Sequence, residues 1–475
     1  MADMISSAVG GRVVECNDEF FAEAANLLNP GPPVWREDVY TDRGKWMDGW
    51  ETRRRRDPGY DWCVLAMGTP GRIDTVTVDT AFFTGNYAEE FSLEACGVAS
   101  DEDLPAAEWS ELILRTGLQG DTALDFEVES PQRVTFLRLN IYPDGGVARL
   151  RVEGTPIPSQ SDVCPAGASV DLVSHLVGGI ALDASDAHYS PPSNMLRHTA
   201  SQGMWDGWET KRRRGPGFDW ATFELGIPGS VGRFVVDTRH FKGNAPGWVT
   251  IHLDNGAGWT EVVSHAAIAA DTENQLDLDE PVPAARAKLE IHPDGGVARF
   301  RVFGTPEPAA AGRKRIEYLN ALFDADALRF FHTACASGRW AETMTAARPY
   351  GSPELVLAEA EQVFDLLDEA DWLEAFADHP RIGERGDEVA NQEQAGAAEA
   401  DRATKDELAR VNLEYEERFG FTYIVYATGK TAEEMLALAE SRVSNSRTEE
   451  MRAASEQQRL ITATRLRRML CQTGS

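Results

Sequence analysis

The residues best equipped for chemistry fall in three places along this 475-residue chain. Residues 53–56 are four consecutive arginines, and 211–214 repeat the run as Lys-Arg-Arg-Arg. Trp50 and Trp62 flank the first run, Trp208 and Trp220 the second. A guanidinium fork matches a carboxylate in shape and charge, and aromatic neighbours lower the local dielectric. Asp48, Glu51 and Arg54, with Asp206, Glu209 and Arg212, are therefore candidates for holding a small acid and moving a proton beside it. The competing reading pairs the arginines with Asp48, Glu51, Asp61 and their counterparts, leaving one or two per run for a ligand.

The third place lies late in the chain. In Asp378-His379-Pro380-Arg381 the proline drives the residue before it out of α conformation, so His379 should sit just past a helix end. Asn391-Gln-Glu-Gln-Ala-Gly396 follows, a polar cluster with one carboxylate, Glu393. Tyr423-Ile-Val-Tyr-Ala427 offers an apolar wall and backbone hydrogen-bonding groups. Arg465 is in register with Ile461 and Met469, on a stripe that should face the core, and a guanidinium there needs an anion. Histidine, glutamate and arginine without a nucleophile or a metal pattern suit proton transfer on a small anion.

All nine histidines lie at position 175 or later. A multi-histidine metal site in the first third is therefore excluded. At matched turns the sequence reads Tyr142-Pro-Asp-Gly-Gly and His292-Pro-Asp-Gly-Gly. If the chemistry of this region needs an imidazole, the second repeat, His292 among its histidines, or the interface between the repeats must supply it.

These residues sit on a duplication. DGWETRRRRDPGYDW at 48–62 recurs as DGWETKRRRGPGFDW at 206–220, and PDGGVARLRVEGTP at 143–156 recurs as PDGGVARFRVFGTP at 293–306. A period near 150 residues is a duplicated domain rather than a solenoid repeat. Residues 72–79, 233–237, 136–141 and 288–292 alternate apolar and polar side chains between Gly/Pro/Asp turns, which predicts antiparallel sandwiches. Asp144-Gly-Gly and Asp294-Gly-Gly are turns, and the stretches 156–166 and 306–313 read as linkers.

Beyond about residue 313 the period becomes helical. Leu355, Val363, Phe364, Leu367, Trp372 and Phe376 recur mostly at helical spacing. Thr404-Lys-Asp-Glu407 and Thr431-Ala-Glu-Glu434 read as capping boxes, Gly420 as a C′ stop, and 447–470 as a last long helix. The expected division is two all-β domains, 1–159 and 160–310, and one all-α domain, 314–475.

Composition narrows the function. Lys+Arg is 46 and Asp+Glu 77, a net charge of −31, which disfavours nucleic acid and anionic membrane as partners. No run of 18 apolar residues exists. The N-terminus carries no basic residue ahead of an apolar core, and the six cysteines are scattered without a C-x-x-C pair. Neither a secretory signal, a zinc motif nor a disulfide framework is indicated, so a cytoplasmic protein is expected.

With its doubled motifs, the region 13–306 resembles allantoicase. That resemblance implies two tandem jelly-roll (galactose-binding-like) sandwiches and the hydrolysis of allantoate to ureidoglycolate and urea. Residues 315–471 resemble 2-oxo-4-hydroxy-4-carboxy-5-ureidoimidazoline (OHCU) decarboxylase. The matching elements include Leu319-Asn-Ala-Leu322, Trp340, Arg348-Pro349, His379-Pro-Arg-Ile-Gly383, Glu393-Gln394, Phe419-Gly-Phe421, Asn445-Ser-Arg447 and Arg465-Leu466. The resemblance implies an all-α domain that makes (S)-allantoin with loss of CO2. It places the catalytic His on His379, the acidic substrate-binding residue on Glu393 and the Arg of the last helix on Arg465. Substrate contacts fall on Pro380, on Ala390, Asn391, Gln392 and Gln394, and on Tyr423, Ile424, Val425, Tyr426 and Ala427. Relatives tend to carry Ser or other small polar residues where this chain has Ala390 and Asn391.

The two reactions are not consecutive, because another enzyme must first open allantoin to allantoate. The decarboxylase is expected to need no cofactor and no metal, since the substrate's own carbonyl and imine accept the electrons. The sequence leaves open whether a metal serves the hydrolase half. A homo-oligomer acting on small ureido substrates is expected. The alternative keeps the decarboxylase but makes the sandwiches non-catalytic, either carbohydrate-binding modules or an oligomerisation platform.

Overall fold

The protein is described by a computed structural model over residues 3–164, 169–381 and 402–471. The chain divides into two units, Met1–Phe323 and Asp324–Ser475. In the first, one 19-residue strand, Asp61–Asp79, serves two layers. Its first part pairs antiparallel with Arg12–Cys16 and Val134–Tyr142, its second part with Ala123–Glu127 and Arg149–Pro156. Register breaks between Ala66 and Gly71, where Pro70 cannot donate to a ladder. A Cβ on Gly71 would lie 2.2 Å from the carbonyl oxygen of Thr155, so only glycine lets the strand turn between layers there. Glu90–Cys96 and Ser110–Gly117 extend the first layer. Alternate residues meet inside, among them Leu65, Ile73, Val76, Val78, Phe91, Leu93, Leu139 and Ile141.

The second repeat builds the same sandwich. Asp219–Asp237 spans its layers and pairs with Ile180–Ala184, Glu273–His292 and Arg299–Pro306. Trp248–Asp254 and Thr260–Ala267 complete it. The all-β tandem jelly-roll architecture expected from the alternation is thus present twice. The stretch 306–313, expected to be a linker, instead enters a helix, Pro308–Ala321. Proline at the first helical turn costs no hydrogen bond, and the three alanines after it favour helix.

In the second unit every regular element among the described residues is a helix. The periodic stretch from 355 to 376 resolves into two, Pro353–Phe364 and Glu369–Ala377, separated where the Asp368 side chain caps the second. Arg402–Phe419 stops at Gly420, whose φ of 78° is the left-handed C′ conformation. Thr404 lies inside that helix rather than at its cap, because the helix already begins at Arg402. Thr431 does cap Ala432–Val443 with a full capping box, and Arg447–Met469 is the long last helix. That helix packs on Asp324–Ala334, Pro353–Phe364 and Glu369–Ala377.

Candidate active sites

The two recurrent blocks of each repeat meet in space. Trp50–Glu51 pairs antiparallel with Gly146–Val147, and Trp208–Glu209 with Gly296–Val297. The Asp-Gly-Gly turn is clamped to the Arg run. Thr52 Oγ1 accepts from Gly145 N at 3.1 Å, and Asp144 Oδ2 accepts from Arg55 N at 2.8 Å. The counterparts are 3.0 Å at Thr210 and 2.8 Å at Asp294. Gly145 and Gly295 both have φ of 135°, a conformation open to glycine.

Most charges of the doubled motif are consumed by this braid. Asp48 and Arg149 form a buried pair at 2.7 Å, and Asp206 and Arg299 another at 2.6 Å. Removing one partner of such a pair strands a buried charge at about 3–5 kcal/mol. Both aspartates therefore hold the fold at the motif. The Trp50 and Trp208 indoles each donate 2.8 Å to a carbonyl, of Asp18 and Asp186. Arg53 pairs with Asp18 at 2.6 Å and Arg55 with Asp61 at 2.5 Å, while Arg213 pairs with Asp219. The pairings of Arg55 with Asp61 and of Arg213 with Asp219 are ones the competing reading expected.

What remains is a short set in each repeat. Arg54 and Arg56, and Arg212 and Arg214, are exposed and have no carboxylate partner among the described residues. Glu51 and Glu209 are half-buried, oriented by the amides of Asn86 and Asn244, each at 2.7 Å. Burial pushes the Glu51 carboxyl above its ordinary range, and the Asn86 hydrogen bond offsets this only in part. A carboxyl so raised holds its proton more readily than a solvated glutamate does. Asn86 and Asn244 carried no signal in the sequence.

His292 differs from its counterpart as expected. Its ring meets Phe218 at 5.0 Å and His265 at 4.9 Å, and Nε2 lies 3.4 Å from Thr250 Oγ1. Burial, then the neighbouring His265, hold its pKa below the ordinary value, against the pull of Glu290. In the first repeat Tyr142 instead packs on Tyr60 at 5.0 Å and shares a 3.0 Å hydrogen bond with Ser92. Beside it a cavity of 320 Å³ opens on Tyr60, Trp62, Trp109 and Arg138, with Arg138 held to Glu94 at 2.6 Å.

In the helical unit, Glu369–Ala377 ends at Asp378 and the His379 amide bonds to the Phe376 carbonyl at 3.1 Å. His379 and Pro380 are therefore half-buried immediately past a helix end, as the proline implied. Residues 420–427 after the Gly420 stop run without regular structure across the core, with Tyr423, Ile424, Val425 and Ala427 buried. Gln457 Oε1 accepts from Tyr426 N at 3.0 Å, and Thr464 Oγ1 donates to the Tyr426 hydroxyl at 3.3 Å. Positions 457, 461 and 465 share a helix face, so half-buried Arg465 is carried by the surface that grips this strap. Ala390, Asn391, Gln392, Glu393 and Gln394 lie outside the described residues.

Behind the strap is a network that was not foreseen. Glu450, fully buried, accepts from Arg442 Nε at 2.8 Å, from Asn445 Nδ2 at 2.7 Å and from the Tyr415 hydroxyl. Arg442 in turn donates to the Ile424 carbonyl at 2.8 Å. The available signal was positional: Glu450 is in register with Ala454, Gln458 and Ile461, all buried. Among the described residues no group of three or more His, Cys, Asp or Glu is placed to hold a metal ion, and no helix is long and apolar enough to cross a membrane.

Comparison with known proteins follows the two units. A family model described as allantoicase repeat matches residues 2–157 and 170–307, and one described as OHCU decarboxylase matches 320–467. The probable allantoicase of Pseudomonas aeruginosa is 42% identical over 319 residues, 64% of this chain and 96% of that one. That of Photobacterium profundum is 40% identical over 310 residues, 62% and 94% respectively. The crystal structure of allantoicase from Saccharomyces cerevisiae is 35% identical with a TM-score of 0.53, covering 64% of this chain and 92% of its own. A structure of OHCU decarboxylase in the presence of (S)-allantoin is 28% identical, with a TM-score of 0.28, and covers 30% of this chain and 96% of its own. The class is thus a tandem-sandwich hydrolase joined to a helical lyase. The chain belongs to the allantoicase family and carries an OHCU decarboxylase domain behind the two allantoicase repeats.

Proposed function

We propose that the chain performs two separate reactions of ureido-compound breakdown with the residues left over once its structural bonds are counted. The family assignment makes the first unit a hydrolase of allantoate, yielding ureidoglycolate and urea, and the second a decarboxylase of OHCU, yielding (S)-allantoin. The observation that carries the hydrolase site is the remainder in each repeat: one half-buried glutamate held by an asparagine, close in sequence to exposed arginines that have no carboxylate partner among the described residues. Arg54 or Arg56, or Arg212 or Arg214, would receive the substrate carboxylate. Glu51 or Glu209 would take a proton from water or give one to the departing urea, with His292 available only in the second repeat.

In the decarboxylase, Arg465 would bind an anionic group of the substrate and Glu393 would accept from its ureido N–H groups. The strap Tyr423–Ala427 and the segment 390–394 would position the ring. Loss of CO2 leaves the electron pair delocalised over the ring, and His379 would deliver the proton to one face, setting the S configuration. We place the boundary between independently folding parts after Phe323, since the helix Pro308–Ala321 belongs to the first unit. We also propose a homo-oligomer in the cytoplasm; the edge strand Ser110–Gly117, with Leu114 exposed, is one surface that pairing would cover. Purified full-length protein given allantoate should release urea, and given OHCU should develop the circular-dichroism signal of (S)-allantoin faster than spontaneous decay gives racemate. Absence of urea release from folded protein would return the sandwiches to a non-catalytic role.

A further inference from the structure

The two sandwiches, both within the first unit, enclose a cavity of 780 Å³ between them, lined in part by the end of the 143–156 block and by none of the residues of the Arg-run block 48–62. Its walls come from both repeats and from the helix after them: Arg151 and Gly154 from the first, His175, Gly179 and Arg197 from the second, and Lys314 from Pro308–Ala321. The repeats are joined at its edge, where Thr199 Oγ1 donates to the Ala8 carbonyl at 2.8 Å.

The chemistry of this cavity is not symmetric. Aligned from Ser6/Ser174 to Leu28/Leu196 without a gap, the second repeat has His175 where the first has Ser7. One residue past the same block it has Arg197 for Asn29, then His198 for Pro30. Three neutral positions have thus become nitrogen bases, and His175 and Arg197 both line the cavity. The corresponding turns are otherwise alike, with serine caps at Ser6 and Ser174 and left-handed Gly10 and Gly178. Local folding therefore does not require the new residues.

Charge is unbalanced there. Asp206 is shared by Arg197 and by Arg299, one carboxylate for two guanidiniums. Arg151 is matched by Asp3 at 3.2 Å and Arg301 by Asp171 at 3.3 Å. Among the described residues Lys314 pairs with Glu317 alone, 3.4 Å away and half-buried. The imidazoles of His175 and His198 each keep a buried Nδ1 without a hydrogen-bond partner among the described residues. Burial first, then Arg197, His198, Arg301 and Arg299, hold the His175 pKa down at about 4. Burial and Arg301 lower His198 as well, with Asp162 opposing. A neutral ring beside cations, in a space lined in part by Gly154, Gly178 and Gly179, lacks an anion.

We propose that this inter-repeat cavity binds a small carboxylate anion, through the Arg197 guanidinium, the Lys314 ammonium and the ring of His175. Arg197 links the site to the second copy of the motif through Asp206, which lies three residues before Glu209. An anion on Arg197 competes with Asp206 for it, so occupancy is felt at Glu209 and Arg212. The first repeat, with Asn29 and Ser7 at these positions, has no such link.

The test is isothermal titration calorimetry of the full chain with glycolate, with glycolamide as the neutral analogue and inorganic phosphate as the competing anion. His175→Ser and Arg197→Asn restore the first repeat's own residues and so preserve the local turns. Glycolate should bind, and each substitution should weaken it at least about tenfold, the loss of one charge-assisted hydrogen bond. Titrated in a background carrying Arg54→Gln, Arg56→Gln, Arg212→Gln and Arg214→Gln, where the proposed hydrolytic sites lack their carboxylate receptors, the protein should still bind glycolate in a way that depends on His175 and Arg197, which separates this site from failure of that reading. Binding should take up protons as pH falls toward 4, because the anion raises the His175 pKa. Equal affinity in both cavity variants, tighter binding of phosphate than of glycolate, or binding of glycolamide as strong as that of glycolate would each overturn the proposal.

Discussion

Glu450→Gln should loosen the decarboxylase unit and its substrate strap together. The glutamate is fully buried and receives hydrogen bonds from Arg442, Asn445 and Tyr415. Glutamine keeps the shape but replaces one acceptor oxygen with an N–H donor, facing groups that are themselves donors. It also leaves the Arg442 guanidinium, 12% exposed, without its counter-charge. Breaking a buried pair from one side costs about 3–5 kcal/mol, and the retained oxygen argues for the lower end, about 3 kcal/mol. At about 2–4 °C per kcal/mol for a unit of this size, its thermal midpoint should fall by roughly 6–12 °C. Arg442 also anchors the Ile424 carbonyl, so the strap should shift and KM for OHCU should rise more than kcat falls. Helical ellipticity against temperature, with KM and kcat for (S)-allantoin formation below the transition, measures both effects. Urea release by the other unit is the internal control. An unchanged midpoint with an unchanged KM would refute the argument that this charge holds the strap.

Other outcomes follow from the same structure. His379→Asn should slow OHCU decarboxylation by about 10²–10⁴, the worth of a positioned general acid, while urea release stays at the wild-type rate; formation of the S enantiomer at full speed would remove His379 from the chemistry. Arg465→Met should weaken OHCU binding by about 1.5–3 kcal/mol, read as a raised KM. Replacing Arg54 and Arg56 with Gln, and separately Arg212 and Arg214, should damage urea release to unequal extents without moving the thermal midpoint, because these side chains are exposed and make no carboxylate pairs among the described residues. Burial raises the Glu51 pKa in the fold, so this group costs stability as pH climbs from the unfolded value through the folded one. Glu51→Gln should therefore be more stable than wild type at neutral pH and equal to it in acid, while losing hydrolysis.

The duplication, the two secondary-structure regimes and the break at His379 could be read directly, because each depends on residues close together in the chain. A period of two in residues 72–79, a proline after His379 and a glycine after Phe419 act over a few bonds, and the fold follows them. Repetition also exposed the motif, since a braid used twice is written twice. Which members of that motif are spare was decided only by tertiary contacts. Arg53 is taken by Asp18, 35 residues away, and the Arg55 amide by Asp144, 89 residues away, whereas Arg54 and Arg56 beside them are exposed. A run of identical charges carries no mark of which one meets a carboxylate. Glu450 is by sequence one of two acidic residues in the first turn of its helix, and only the folded unit brings three donors to it from other positions. The cavity between the sandwiches is the extreme case. His175 against Ser7 and Arg197 against Asn29 are scattered differences between two repeats, and only the packing brings them, with Lys314, to the wall of one cavity.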